Sequence, residues 1–353
     1  MGKVQFKSKP GRFFEDFKLG QRLVHAAPRT LTEGDVAFYV ALTGQRYALT
    51  SSDSFARDCG MAGAPLEPWL VFHTVFGKSV PDISANALAN LGYAEGRFMA
   101  SVYPGDSVQA VSEVIGLKEN ANGKTGIVYV RTRGENQSGE TLLEFVRWVM
   151  VHKRDAASPA PAPVIPQLDK AVSAAELFVP EGLSFEDYDY ALAGARWAYG
   201  DYAIGEKIDH IDGMTIEEAE HQLATRLYQN TARVHFDALA QKGSRFGRRL
   251  IYGGVTISIA RALAFNGLEN AALTLALNGG RHVAPVLAGD TLYAWSEVLD
   301  KAELAPDIGA LRLRLVAAKD HPCADFPLKL DNGEDHPAIV LDLDYWAAMP
   351  IKR

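Results

Sequence analysis

Apolar residues alternate with polar or charged ones through residues 107–117 (SVQAVSEVIGL), 124–134 (KTGIVYVRTRG) and 141–152 (TLLEFVRWVMVH). The same alternation returns through residues 291–304 (TLYAWSEVLDKAEL), 308–320 (IGALRLRLVAAKD) and 337–349 (PAIVLDLDYWAAM). A period of two with one apolar face predicts antiparallel strands packed on one side. Residues 98–103 (FMASVY) read as a further strand ahead of the first group. Thr30 is followed three residues later by Glu33, and Thr215 by Glu218, each before an amphipathic run, so a capping box is expected to open a helix in both places. Longer apolar helices are predicted over residues 68–76 and 254–265.

This order of elements occurs twice. Residues 97–114 read RFMASVYPGDSVQAVSEV and residues 281–298 read RHVAPVLAGDTLYAWSEV. Arg97 and Arg281, Gly105 and Gly289, and Glu113 and Glu297 each stand 184 positions apart. A repeat near half the chain length implies two copies of one fold, each a curved antiparallel sheet on a single long helix, in the α+β class. The copies differ where chemistry would sit: residues 230–237 read NTARVHFD, whereas residues 45–53 read QRYALTSSD and carry no histidine. Arg97 and Arg281, kept in both copies, read as braces of the fold, and the Gly-Asp pairs at 105 and 289 as turns.

Residues 155–167 (DAASPAPAPVIPQ) cannot continue a sheet interior and form the linker. Residues 168–194, of mixed polarity, are expected to wrap back on the fold. The chain thus divides into a first copy over 1–154, a linker and wrapping segment over 155–194, and a second copy over 195–353. With 48% hydrophobic and 22% charged residues the chain can bury two cores. A net charge of −7 provides no diffuse basic surface for nucleic acid. Cys59 and Cys323 have no metal-ligand spacing and read as structural thiols of a reducing compartment. No apolar run follows the N-terminal lysines, and the most apolar stretch, residues 253–277, is broken by Arg261, Asn266 and Glu269. Export and membrane insertion are therefore not expected, and a cytoplasmic location is.

The second copy carries His235-Phe236-Asp237, then Ile251-Tyr252-Gly253-Gly254, then Arg281 followed by Pro285 and Gly289-Asp290-Thr291-Leu292. This series resembles the hydratase branch of the MaoC-like double-hotdog family, and more narrowly the mesaconyl-CoA hydratases, also called β-methylmalyl-CoA dehydratases. The resemblance covers nearly the whole chain. It implies a tandem hotdog fold, a homodimer, and reversible hydration of a short methyl-branched dicarboxylic enoyl-CoA. A hotdog thioesterase and a non-catalytic acyl-CoA-binding protein are the alternatives.

Hydration of an enoyl thioester needs a base for water, a proton for the α-carbon, and donors aimed at the thioester oxygen. The resemblance gives His235 the role of catalytic histidine. Asn230 stands where the family usually has an aspartate; an amide can orient water but cannot accept its proton. Ala232 and Arg233 likewise depart from the family's Asn-Pro. Asp237 is a candidate carboxylate, with a helix-cap role as the competing reading. Glu67 and Glu218 are weaker candidates, Glu218 being taken as the capping-box residue. Gly253 and Gly254, opening the central helix, can offer free amides to the thioester oxygen; Pro68 and Trp69 hold the matching positions in the first copy. Arg245, Arg248 and Arg249 are candidates for the phosphates of coenzyme A. Arg46, with Gln45 and Tyr47, is expected to line the acyl pocket from the first copy. No residue cluster asks for a metal or redox cofactor, and coenzyme A enters only as part of the substrate.

Overall fold

In the computed structural model, which describes residues 7–352, ten strands form one antiparallel sheet. In chain order these are β1 (Arg22–Thr30), β2 (Ala87–Phe98), β3 (Ser107–Glu119), β4 (Thr125–Glu135), β5 (Thr141–His152), β6 (Lys207–Thr215), β7 (Leu273–His282), β8 (Thr291–Glu303), β9 (Ile308–Lys319) and β10 (Ile339–Pro350). Their lateral order is β1-β3-β4-β5-β2-β7-β10-β9-β8-β6, so the second half mirrors the first across the β2–β7 seam. At that seam Tyr93 faces Gly280 and Arg97 faces Ala276.

Each half wraps a central helix, Pro68–Ile83 in the first copy and Gly253–Leu263 in the second. Both helices are buried nearly all round, as a helix enclosed by a curved sheet must be. A shorter helix precedes each, Glu33–Thr43 and Glu218–Leu227. Gly77, in the first central helix, permits the closest approach between copies: a Cβ there would lie 1.8 Å from the Tyr228 carbonyl oxygen. One core, including Trp69, Phe72, Tyr228, Ile257 and Tyr345, therefore spans both halves.

The tandem arrangement of sheet on helix is as expected, with local corrections. Residues 99–106 are not a strand; β2 lies earlier and ends at Phe98. The first central helix does not stop at Phe76 but runs through Gly77, whose burial against the second copy outweighs its low helix propensity, and on through the exposed Pro81 to Ile83. The capping boxes are displaced. Thr30 and Thr215 end β1 and β6, and their hydroxyls meet Ser107 and Thr291 across the sheet. In the first copy the box forms two residues later, where Asp35 accepts from the Thr32 amide at 2.8 Å. In the second copy the helix has Glu217 at its N-cap with no side-chain cap.

Edge strands β1 and β6 are pinned by a repeated device. His25 Nε2 lies 2.8 Å from Ser112 Oγ, and His210 Nε2 lies 2.8 Å from Ser296 Oγ. Arg97 pairs with Glu176, and Arg281 with Asp335 and Asp342. Both thiols are buried and pushed up to about 12, which leaves them inert. The segment after the linker packs back across both halves: Trp346 donates to the Val172 carbonyl at 3.1 Å and Tyr188 to Asn270 at 3.0 Å, while the Ser184 amide donates to the Cys59 carbonyl at 2.9 Å.

Candidate active site

A cavity of about 290 Å³ opens between the copies. The second copy lines it with Asn230, Ala232, Val234, His235, Leu250–Gly253, Thr256 and His282–Val286. The first copy contributes Phe76 and Val80 from its central helix, Ser84 from just past that helix, Ala87–Asn90 and Tyr93 from the β2 side, and Arg147 and Val149 from β5.

His235 lies on a single helical turn, Arg233–Phe236, whose position is set from both sides. Gln222 donates to the His235 carbonyl, and the Leu250 amide donates to the Val234 carbonyl at 3.1 Å. The ring is fixed as well: Nδ1 lies 2.9 Å from the Leu250 carbonyl oxygen. A carbonyl only accepts, so Nδ1 carries the hydrogen and Nε2 keeps its lone pair. Burial holds the ring down to about 4, against the Leu250 carbonyl, which favours the protonated form.

His282 lines the same cavity, its Nε2 3.1 Å from the Tyr93 hydroxyl. Burial, with His235 nearby, holds it too at about 4. Asn230 is buried, and its side-chain oxygen accepts the Ala232 amide at 2.9 Å. That bond fixes the side chain at the cavity wall. Gly253 and Gly254 begin the second central helix, so their amides have no acceptor within it. Gly253 also leaves room for the histidine, since a Cβ there would stand 2.3 Å from His282 Cε1. Arg147 is fully buried and donates to Ser84 Oγ at 2.9 Å and Ser79 Oγ at 2.8 Å.

Of the residues expected at the site, the structure brings together His235, Asn230 and Gly253 at the cavity wall, with Gly254 next to it. Others lie elsewhere. Asp237 is exposed, outside the cavity lining, and its carboxylate caps the next helical turn by accepting the Ala240 amide at 2.9 Å. Arg46 is also exposed and stacks on Phe265, 4.6 Å from the ring centre. Gln45 and Tyr47 are buried in the first copy, Gln45 beside Glu67 and Tyr47 donating to the Arg261 carbonyl. Glu67 is not at the cavity; burial pushes it up to about 7 between Gln45 and Thr50. Glu218 pairs with Arg249. Arg248 donates to the Ala288 carbonyl at 2.6 Å and Arg245 lies exposed over Phe246, so none of the three arginines lines the cavity.

His282 and Arg147 escape the sequence reading, though each leaves a trace. His282 follows Arg281 in the repeated segment, where the first copy has Phe98. Arg147 shares its strand face with Phe145, Val149 and Val151, all of them buried. A charge on an apolar face is the anomaly that marks it.

The matching pocket of the first copy is closed. It measures about 30 Å³ and is lined by Leu66, Pro68, Val71 and Phe98, the repeat counterparts of Ile251, Gly253, Thr256 and His282. Phe178 and Pro180 of the wrapping segment also line it. There the histidine, the helix-end glycine and the space are all missing.

The mesaconyl-CoA hydratase family model matches residues 2–324. A mesaconyl-CoA hydratase of Cereibacter sphaeroides is 60% identical over 345 residues, covering 98% of this chain and 99% of the relative. A β-methylmalyl-CoA dehydratase of Chloroflexus aurantiacus is 58% identical, covering 98% of each. Among solved structures, a MaoC domain protein dehydratase from Chloroflexus aurantiacus superposes with a TM-score of 0.97 at 57% identity, over 99% of this chain and 100% of that one. A double-hotdog protein of Mycobacterium tuberculosis gives 0.75 at 27% identity, over 97% and 99%. With the repeat, the sheet order and these likenesses agreeing, the chain is a double hotdog of the MaoC-like kind and belongs to the mesaconyl-CoA hydratase family.

Proposed function

We propose that this protein catalyses the reversible addition of water to mesaconyl-CoA, giving β-methylmalyl-CoA. The observation that carries the reading is the His235 tautomer. With Nδ1 bound to the Leu250 carbonyl, Nε2 is a lone pair in a cavity whose wall includes the start of a helix.

In this mechanism His235 Nε2 takes a proton from water as the oxygen attacks the carbon β to the thioester. Electrons of the double bond move toward the thioester oxygen, which is received by the Gly253 and Gly254 amides at the helix N-terminus. Negative charge gathering there stabilises the imidazolium that forms. The imidazolium returns its proton to the α-carbon, so one residue serves both transfers and the atoms balance. His282, held neutral by its burial, adds no opposing positive charge. Asn230 orients the attacking water without competing for its proton. Dehydration is the same path reversed.

On this reading the first copy shapes the acyl pocket, Arg245, Arg248 and Arg249, outside the cavity lining, receive the coenzyme A phosphates, and no metal or redox cofactor takes part. The protein is taken to be a cytoplasmic homodimer; among the described residues no helix is long and apolar enough to cross a membrane. Ultraviolet absorbance of mesaconyl-CoA tests the function. Loss of the conjugated thioester signal without free thiol is expected. Free thiol would make the protein a thioesterase, and binding without turnover would make it a carrier.

A further inference from the structure

Arg147 is fully buried and lines the active cavity, yet no carboxylate pairs with it among the described residues. Its polar partners are two neutral hydroxyls, Ser79 and Ser84, and its Nε has none. The Phe76 ring lies 4.2 Å from the guanidinium carbon. An arginine kept charged in such surroundings is costly unless an anion completes it. Every other buried feature of this wall is apolar or neutral: Phe76, Val80, Tyr93 and Val149. Asn90, opposite Val149 in the β2–β5 ladder, lines the same wall, and neither polar atom of its amide has a partner. The cavity thus holds a thioester-reacting end around His235 and, on the first copy's side, unspent donors for an anion.

We propose that Arg147, with Asn90 beside it, receives the free carboxylate of the acyl group and so sets specificity for dicarboxylic enoyl thioesters. The proposal rests on the hydratase reading above. A planar guanidinium suits bidentate pairing with a carboxylate, and in a buried site that pairing is the term that distinguishes the substrate from its uncharged analogue. The second copy has Tyr345 at the repeat position of Arg147, so the closed pocket has no such donor. Arg147 acts on binding and orientation, not on a proton.

The test compares mesaconyl-CoA with 2-methylbut-2-enoyl-CoA, the same skeleton with methyl in place of the distal carboxylate. Binding of each is measured by calorimetry to the full-length wild type and to Arg147→Met, alongside kcat/KM for mesaconyl-CoA. Wild type is expected to prefer the dicarboxylic thioester, and Arg147→Met to lower its affinity roughly 100-fold while that for the methyl analogue stays within a few-fold. The variant should melt no earlier than wild type, because a buried unpaired charge has been replaced by an apolar chain of similar length. Arg147→Lys should restore part of the preference. Equal losses on both thioesters, or an unchanged ratio, would overturn the assignment. Wild type that binds mesaconyl-CoA without hydrating it would sink the hydratase reading alone, since the affinity ratio still reports on Arg147.

Discussion

Gly253→Ala separates the architecture of the site from its chemistry. Gly253 is the first residue of the second central helix and has no left-handed backbone angle, so alanine fits the helix and should stabilise it by about 0.4–1 kcal/mol. The new Cβ would stand 2.3 Å from His282 Cε1 and 2.4 Å from Nε2. Carbon atoms settle near 3.5–4 Å apart, so the ring must withdraw by about 1 Å. That breaks the 3.1 Å contact with Tyr93, at about 1 kcal/mol. The two effects nearly cancel in stability. Catalysis has no such compensation: a displacement of about 1 Å at the reacting layer costs about 100-fold, or about 2.7 kcal/mol of transition-state stabilisation. Thermal unfolding and initial hydration rates, measured on one preparation, should show an unchanged Tm with kcat/KM down about 100-fold. Full activity at unchanged Tm would remove Gly253 and His282 from the reacting layer. Loss of activity in step with loss of stability would make the glycine a packing residue only.

Two further outcomes follow from the buried core. Gly77→Ala places a Cβ 1.8 Å from the Tyr228 carbonyl oxygen and 3.0 Å from the Asn230 amide, both backbone, so it should cost about 3 kcal/mol or more and is read as a lowered urea midpoint; an unchanged midpoint would contradict the close approach of the copies. Burial holds His73 at about 3 and His210 at about 4, both with no exposed surface, whereas an unfolded histidine titrates near 6.5. The unfolded chain therefore binds protons that the native one refuses, and stability, constant above pH 6.5, falls as pH drops toward 4. Each of these residues costs about 2 kcal/mol by pH 5. A urea midpoint equal at pH 7.5 and pH 5 would show that these rings are not buried neutral.

Much of the fold was written in the sequence because one-sided burial imposes a period. The runs that became β3, β4, β5, β8, β9 and β10 alternate over part of their length, since one face meets a central helix. The edge strands β1 and β6 were missed for the opposite reason: they are largely exposed, and each carries a register shift. The seam strands β2 and β7 contain Gly92, Gly96, Gly279 and Gly280 and look like turns. Two of those glycines are needed there: a Cβ on Gly92 would strike Trp148, and one on Gly96 would meet Leu277 across the seam. At the site, His235 could be found because its surroundings form a motif. His282 and Arg147 belong to no local pattern, and their roles come from which wall of which copy faces the cavity. Asp237 and Arg46 show the converse, since residue type and position near a motif do not fix where a side chain ends.

The central claim is that the second copy alone carries the reaction, through His235. Its most direct test is the rate of mesaconyl-CoA hydration by wild type and His235→Ala, at equal concentration and pH 7.5, with Tm measured for both. A folded variant is expected, its Tm lowered by no more than a few degrees through loss of the Leu250 hydrogen bond, with a rate at least about 100-fold lower. A folded variant that hydrates mesaconyl-CoA within a few-fold of wild type would contradict the claim, and the base would have to be sought elsewhere in the cavity.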